Sequence, residues 1–518
     1  MLFSIPVLLS TATFITSGKC SSKTIPVPSC PKNSSPVPND LQSMSIEFAY
    51  FPDYAGNKSQ PNQFSKNLLH NLKSLTGVAP KVRVGGTSQD HATYFPDQEE
   101  NVQLIYQNPT DDQPIQINYG PTFFESYHTL GDIRYLHGLN MAQNKSTQLL
   151  ELSAAEACTS IGPQLHLFEL EWNSKSVIVK SAVQKACPGP FPGFMAPSFV
   201  LLDFIDDTTW TAEDLYNLGY DKDDLTKELC FHKSDTHYYS SPFTSLTFRT
   251  AIWVLTNLLF PCGFGSPAYV YPLCTNRVML TTTGTLMNHT NIVRNLAEQI
   301  TRSKNLAYLG LPYTLGELNS IANQGVNGET NVFGDALWLV DFSLWAAVHG
   351  IKRLQFHQGL NYRYASWQPI ESKGVPPTTR PPYYGQVMVA SAIGQSKDTR
   401  IVNIPLSQDT ESAYAIYNGD RLSKLVVTNL RAFNQTTSDR PHREYKFHVP
   451  TQHKSAMIER LIGPGSDALD NITFGGISYD HGLKEGKPVQ QHANEETRIV
   501  NGLLTITVPD SSAVLLTL

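Results

Sequence analysis

The stretch from residue 313 to residue 356, YTLGELNSIANQGVNGETNVFGDALWLVDFSLWAAVHGIKRLQF, decides the fold class. Tyr313-Thr314-Leu315 reads as a short strand, Asp335–His349 as an amphipathic helix, and Leu354-Gln355-Phe356 as a second strand. Two strands joined through a helix run parallel, because a parallel pair needs a crossover that a tight turn cannot supply. Working outward, Asn288–Ser303 reads as another helix and Leu165–Leu170 as an alternating strand. Val82-Arg83-Val84 is a strand that ends in a Gly-Gly turn. Such units recur from about Ser45 to Gly394, a length that suits a closed (β/α)8 TIM barrel better than an open sheet.

After about residue 396 the pattern changes. Ala413–Tyr417, Leu425–Asn429, Glu444–Val449, Leu503–Val508 and Ala513–Thr517 are short β-branched or aromatic runs. Turn signals such as Asn418-Gly419-Asp420 and Gly463-Pro464-Gly465 separate them, which predicts an all-β sandwich as a C-terminal domain. The expected organisation is a signal peptide over 1–18 and an extended segment over 19–40 that adds a strand to the β domain. The catalytic barrel then spans 41–395 and the sandwich 396–518.

Of 518 residues, 41% are hydrophobic and 16% charged, a globular balance. The formal net charge of -6, with mixed signs and no Lys/Arg block, argues against a nucleic-acid partner or an anionic lipid surface. The apolar run Phe3–Leu9 ahead of Thr16-Ser17-Gly18 resembles a secretory leader, so the chain is expected to be secreted. Glycosylation sequons at Asn33, Asn57, Asn144, Asn288, Asn434 and Asn471 favour the same route. The apolar stretch Ala251–Ala268 is interrupted by Pro261 and glycines, too short for a membrane span of about 20 residues. Seven cysteines, Cys20, Cys30, Cys158, Cys187, Cys230, Cys262 and Cys274, show neither a C-x-x-C pair nor His at zinc spacing, so no metal or other cofactor is expected. In an oxidising compartment some of them should pair, in a connectivity that spacing leaves open.

Glu317 lies just past the strand Tyr313-Thr314-Leu315, which in a barrel is the C-terminal rim where chemistry is built. A carboxylate there can attack an anomeric carbon and form a covalent glycosyl-enzyme. On position alone, a Glu that ends a strand is more often an ordinary solvated loop residue. The combined motifs go further. LGLPYTLGELNSIANQG and NVFGDALWLVDFSLWAAVHGIKRLQFHQGLNYRYASWQPI resemble the glycoside hydrolase family 79 β-glucuronidases, particularly fungal ones. SIEFAYFPDYAGN, VRVGGTSQD and TLMNHTN are similar to the same family upstream, and SAYAIYNG, LVVTNLRAFN and AVLLTL to its C-terminal β domain.

That resemblance implies a barrel plus sandwich, retaining hydrolysis without a metal, and a carbohydrate partner bearing terminal glucuronate or its 4-O-methyl ether. It puts Glu317 at the nucleophile. The family's acid/base is the Glu of a Gly-Asn-Glu-Pro motif after a Phe-Glu-Leu strand. Here Leu167-Phe168-Glu169-Leu170 is followed directly by Glu171-Trp172-Asn173, and the motif is absent. Glu171 stands where the motif's Gly would be, as a substitute acid/base candidate.

Further candidates follow from the resemblance. Glu47 and Asp90 fall at polar sugar contacts, although each could instead cap a helix or pair with an Arg. His237 and Tyr239 resemble the rim strand before the nucleophile. Gln324 and Gly325 match the loop that receives the uronate carboxylate, with Ala322 or Asn323 where relatives carry an aromatic partner. Tyr362 and Tyr364 are expected to line the pocket or pack in the core. Two alternatives stay open: a catalytically inactive uronate-binding or other carbohydrate-binding protein, and a heparanase-like endo-glycosidase.

Overall fold

The computed structural model describes residues 24–140, 147–169, 176–187, 189–195, 226–232, 285–436 and 438–518. Glu171, His237, Tyr239 and Asn144, like the leader over 1–18 and the apolar stretch 251–268, lie outside the described residues.

Eight strands close into a barrel. In chain order they are β1 (Gln42–Glu47), β2 (Val82–Gly85), β3 (Tyr135–Gly138), β4 (Leu165–Glu169), β5 (Phe194–Met195), β6 (Thr226–His232), β7 (Tyr313–Leu318) and β8 (Arg353–Gln358). Every neighbouring pair is parallel, and β8 pairs with β1 to close the ring. Strand β7 runs three residues further than Tyr313-Thr314-Leu315 suggests, so Glu317 belongs to the strand itself.

The period-2 alternation sorts each strand into two faces. Met44 and Ile46 of β1, with Leu354 and Phe356 of β8, join the large outer core against the helices. Ser43, Ser45 and Glu47 of β1 and Gln355 and His357 of β8 take the opposite, inward face. On the far side Leu136, Leu167 and Met195 form a small cluster of their own, from β3, β4 and β5. Among the described residues the interior is therefore apolar on one wall and polar on the other, unlike the branched-aliphatic filling usual in such barrels.

The outer helices explain themselves from sequence. Helix α1 (Gln63–Thr76) starts at Asn62, whose side chain accepts from the Ser65 amide, and ends at Gly77 in the left-handed conformation. Helix α2 (Thr147–Ile161) and helix α3 (Ser176–Ala186) are joined by a Cys158–Cys187 disulfide. Asn288 caps helix α4 (His289–Asn305), and Arg302 and Lys304 favour its C-terminal end. Helix α5 (Phe333–Val348) and helix α6 (Pro381–Ile393) are buried on nearly every side, because they lie between the barrel and the C-terminal domain.

That domain begins with β9 (Thr399–Asn403), β10 (Glu411–Asn418) and β11 (Arg421–Asn429), three antiparallel neighbours of one large sheet. A second sheet pairs β12 (His442–His448) with β14 (Leu503–Pro509), while β13 (Ser455–Ile462) and β15 (Ser512–Thr517) return to the first. Ile25–Pro26 adds a parallel edge beside Phe447–His448. Alternation in β10 decides the packing. Tyr414 and Ile416 join the barrel core, whereas Ala413, Ala415 and Tyr417 pack between the two sheets with Tyr445 and Phe447.

At the junction, the Asp341 carboxylate of α5 accepts from the Tyr414 hydroxyl at 2.5 Å and meets His289 Nδ1 at 2.9 Å. Both Asp341 and Tyr414 are fully buried, so this is a polar rivet through an otherwise apolar contact.

Candidate active site

Arg83 is the centre of the site. Its position in β2 follows Val82 and precedes Val84, so alternation turns the guanidinium inward. There Nε and Nη2 donate to both oxygens of Glu169, at 2.5 and 2.9 Å, in a two-bond fork. Nη1 donates to Ser45 Oγ at 2.8 Å and to Glu317 Oε2 at 2.5 Å. One cation thus ties the end of β4 to the end of β7.

Exposure separates the two carboxylates. The Glu169 side chain is 0% exposed and Arg83 2%, whereas Glu317 is 21% exposed. Glu317 is thus the solvent-open carboxylate of the two, with a guanidinium against it.

Glu47 is the second anchor. Its Oε1 accepts from the Ser88 amide at 2.8 Å and from the Ser88 hydroxyl. Its Oε2 meets His357 Nε2 at 2.9 Å and the Tyr362 hydroxyl at 3.2 Å. It does not cap its own turn, Phe48–Tyr50, but the Ser88 amide it receives lies in the first turn of the short helix Thr87–His91. Gly86 makes room for it. A Cβ there would come within 2.5 Å of Glu47 Oε1, and the backbone is left-handed, φ +93.

His357 connects the two groups: Nδ1 lies 3.0 Å from Ser45 Oγ, and Nε2 lies 3.9 Å from Glu317 Oε1. Burial pulls its basicity down, but Glu317 and Glu47 outweigh that and raise it.

Asp90 lies in the short helical turn after β2, with a buried Oδ1 that has no hydrogen-bond partner among the described residues. Burial, reinforced by the Glu169, Glu47 and Glu317 carboxylates, pushes it up to about 7 against the pull of Arg83. It is therefore a carboxyl that holds a proton into the neutral range. His137, at the end of β3, goes the other way. Burial pushes it down to about 3, so it is a neutral ring among Phe48, Phe124, Tyr127 and Phe168.

The loop after β8 completes the wall. Tyr362 and Tyr364 pack edge to face at 5.8 Å, and both rings lie against His357. Opposite them, Gly325 fits under Tyr364, where a Cβ would meet Tyr364 at 3.0 Å and Thr330 Oγ1 at 2.3 Å. Gln324, the preceding residue, is also left-handed at φ +63. Glu317, Glu47, Asp90, Gln324, Gly325, Tyr362 and Tyr364 are thus gathered at one end of the barrel.

Sequence reasoning missed Arg83, Ser45 and His357 as site residues. The signal for each was an inward-facing polar residue near the end of a short apolar strand. Among the described residues, no group of three His, Cys, Asp or Glu could hold a metal ion. The arrangement can hold a nucleophilic carboxylate in place, with a proton-holding carboxyl nearby in Asp90.

Known proteins resemble this chain over most of its length. The sequence profile of the glycosyl hydrolase family 79 C-terminal beta domain matches residues 413–515. A beta-glucuronidase of Aspergillus niger is 35% identical over 519 residues, covering 93% of this chain and 91% of that protein. A beta-glucuronidase of Neurospora crassa is 31% identical, covering 88% and 87%. Among solved structures, a 4-O-alpha-L-rhamnosyl-beta-D-glucuronidase from Fusarium oxysporum 12S superposes with a TM-score of 0.71 at 22% identity, covering 96% of this chain and 100% of its own. A GH51 arabinofuranosidase from Xanthomonas axonopodis pv. citri reaches 0.54 at 14% identity, over 95% and 98%, a likeness of fold alone. With the barrel, the C-terminal β domain and these relatives in agreement, the chain belongs to glycoside hydrolase family 79.

Proposed function

We propose that this glycoside hydrolase removes terminal β-linked glucuronate, or its 4-O-methyl ether, from glycans by a retaining mechanism with Glu317 as nucleophile. The observation that carries the reading is the Arg83 bridge, which holds an open Glu317 against a sealed Glu169. The names of the relatives supply the sugar.

In the first step Glu317 attacks C1, the C1–O bond to the leaving group breaks, and a glycosyl-enzyme ester forms at Glu317. Water then attacks C1, the ester bond breaks, and glucuronate leaves with its β configuration retained. Each step needs a proton donor or acceptor on the leaving-group side. The Gly-Asn-Glu-Pro motif that supplies it in the family is missing here. Loss of such an acid costs about 10²–10⁴-fold in rate, least for leaving groups that depart as stable anions.

The test is turnover of p-nitrophenyl β-D-glucuronide beside an unactivated glucuronosyl disaccharide. Strong preference for the aryl glycoside supports an acid-impaired hydrolase. Equal turnover of both contradicts the impairment. Uronate binding with no turnover of either favours a binding protein. Secretion belongs to the same reading, supported by the Cys158–Cys187 disulfide and the exposed sequon residues Asn33, Asn434 and Asn471. Recovery of the full-length protein only inside expressing cells would oppose it.

A further inference from the structure

The turn that follows β7 carries three left-handed residues in succession: Asn323 at φ +53, Gln324 at +63 and Gly325 at +77. Two of them are not glycine, so the surroundings must impose the conformation. One residue takes up all three carbonyls. The Arg363 amide donates to Gln324 O at 2.7 Å, its Nε to Gly325 O at 3.2 Å and its Nη2 to Asn323 O at 3.3 Å.

With its carbonyls committed to Arg363, the turn's remaining donors are ordered too. The Gly325 amide donates to Ala322 O at 3.1 Å and the Val326 amide to Thr330 Oγ1 at 3.0 Å. The Gln324 side-chain amide makes no hydrogen bond among the described residues. The next residue, Gly325, lies against Tyr364, whose ring packs on His357.

Arg363 is itself fixed from the other side. Its Nη1 donates to Asp112 Oδ2 at 2.7 Å. Asp112 belongs to an insertion after β2, on the loop between Val102–Ile105 and Gln116–Tyr119, two strands of a small three-stranded sheet. The same loop sends Gln113 Nε2 to the Tyr362 hydroxyl at 2.9 Å and takes a hydrogen bond from Tyr50 on the Asp112 carbonyl. Lys373 shares the Asp112 carboxylate at 3.1 Å, so two cations meet on one anion.

We propose that Arg363, held by Asp112, is the positioning residue that sets the Asn323–Gly325 turn, so that selectivity for a uronate over the neutral hexose runs through this clamp. The inference rests on the reading of Gln324 and Gly325 as the carboxylate receiver.

The experiment measures binding of p-nitrophenyl β-D-glucuronide and p-nitrophenyl β-D-glucoside by titration calorimetry. The full chain carries Glu317→Gln so that neither ligand turns over. Arg363→Met and Asp112→Asn should each weaken glucuronide binding by about 10-fold or more, the scale of one lost charge-assisted hydrogen bond, and leave glucoside binding unchanged. Arg363→Lys keeps the charge but not the fork, and should fall with them. Asn323→Gly in the Arg363→Met background relaxes the left-handed requirement and should restore part of the preference. A parent protein without glucuronide preference overturns the uronate reading, and the clamp with it. A parent with that preference, alongside Arg363→Met and Asp112→Asn proteins that keep it, overturns the clamp alone.

Discussion

Replacing Arg83 with Met strands the Glu169 carboxylate, which is fully buried and receives two of its hydrogen bonds from that one side chain. Removing one partner of a buried ion pair costs about 3–5 kcal/mol, because the remaining charge keeps its desolvation penalty. For a barrel of this size that is a fall of about 4–7 °C in the thermal midpoint. Glu169→Leu leaves Arg83 its bonds to Ser45 and Glu317, so its cost lies at the lower end of that range. The double variant, Arg83→Met with Glu169→Leu, is the decisive one. Leu136, Leu167 and Met195 already form an apolar wall on β3, β4 and β5, next to which the two introduced apolar side chains can pack. Glu317, partly open to solvent, tolerates the loss of its cation better than Glu169 does. The double variant should therefore lose less stability than Arg83→Met alone, as read by scanning calorimetry or fluorescence melts of all four proteins. Losses that simply add would mean that Arg83 and Glu169 are not coupled, and would refute the bridge.

Three further outcomes follow from the same contacts. Gly86→Ala drives a methyl group into Glu47 in a left-handed backbone, and should cut kcat/KM on an aryl glucuronide on the order of 10²-fold. Gly131→Ala, equally left-handed but with nothing within 4 Å, should leave kcat/KM unchanged. For His289, burial works against protonation, but the Asp341 and Asp409 carboxylates prevail and raise its basicity, while Tyr414 and Trp345 pack around the pair. A raised folded-state value means a stabilising contribution that is complete below the ordinary 6.5 and fades as pH climbs above it, so His289→Asn should flatten the thermal midpoint between pH 6.5 and 8.5 relative to the parent. Cys158→Ser opens a disulfide that spans 29 residues, and should cost roughly 3–4 kcal/mol, read as a lower thermal midpoint than the parent's.

The fold was legible where pattern is local. Helix α5 and its flanking strands show in the run from Tyr313 to Phe356, because a buried crossover helix must be apolar and its parallel strands short. The β domain showed through its turns and β-branched runs. The candidate site was half legible. Glu317 stands out because it ends a strand inside a distinctive motif. Arg83 does not, because a lone Arg between two valines looks like the solvent face of an edge strand. Its partners lie 86 and 234 residues away, and only barrel closure brings them together. His357 was hidden in the same way, since its partner Glu47 is 310 residues distant. The three-stranded insertion that carries Asp112 leaves no periodic trace, because its strands are only three or four residues long.

The most direct test of the account is covalent trapping. A 2-deoxy-2-fluoro glucuronosyl donor with a good leaving group should form a stable ester on the intact chain, and peptide mass spectrometry should place it on Glu317. A label on another carboxylate, Glu169 or Asp90 included, would contradict the assignment of Glu317 as nucleophile. So would activated-glucuronide turnover that releases the α-anomer first.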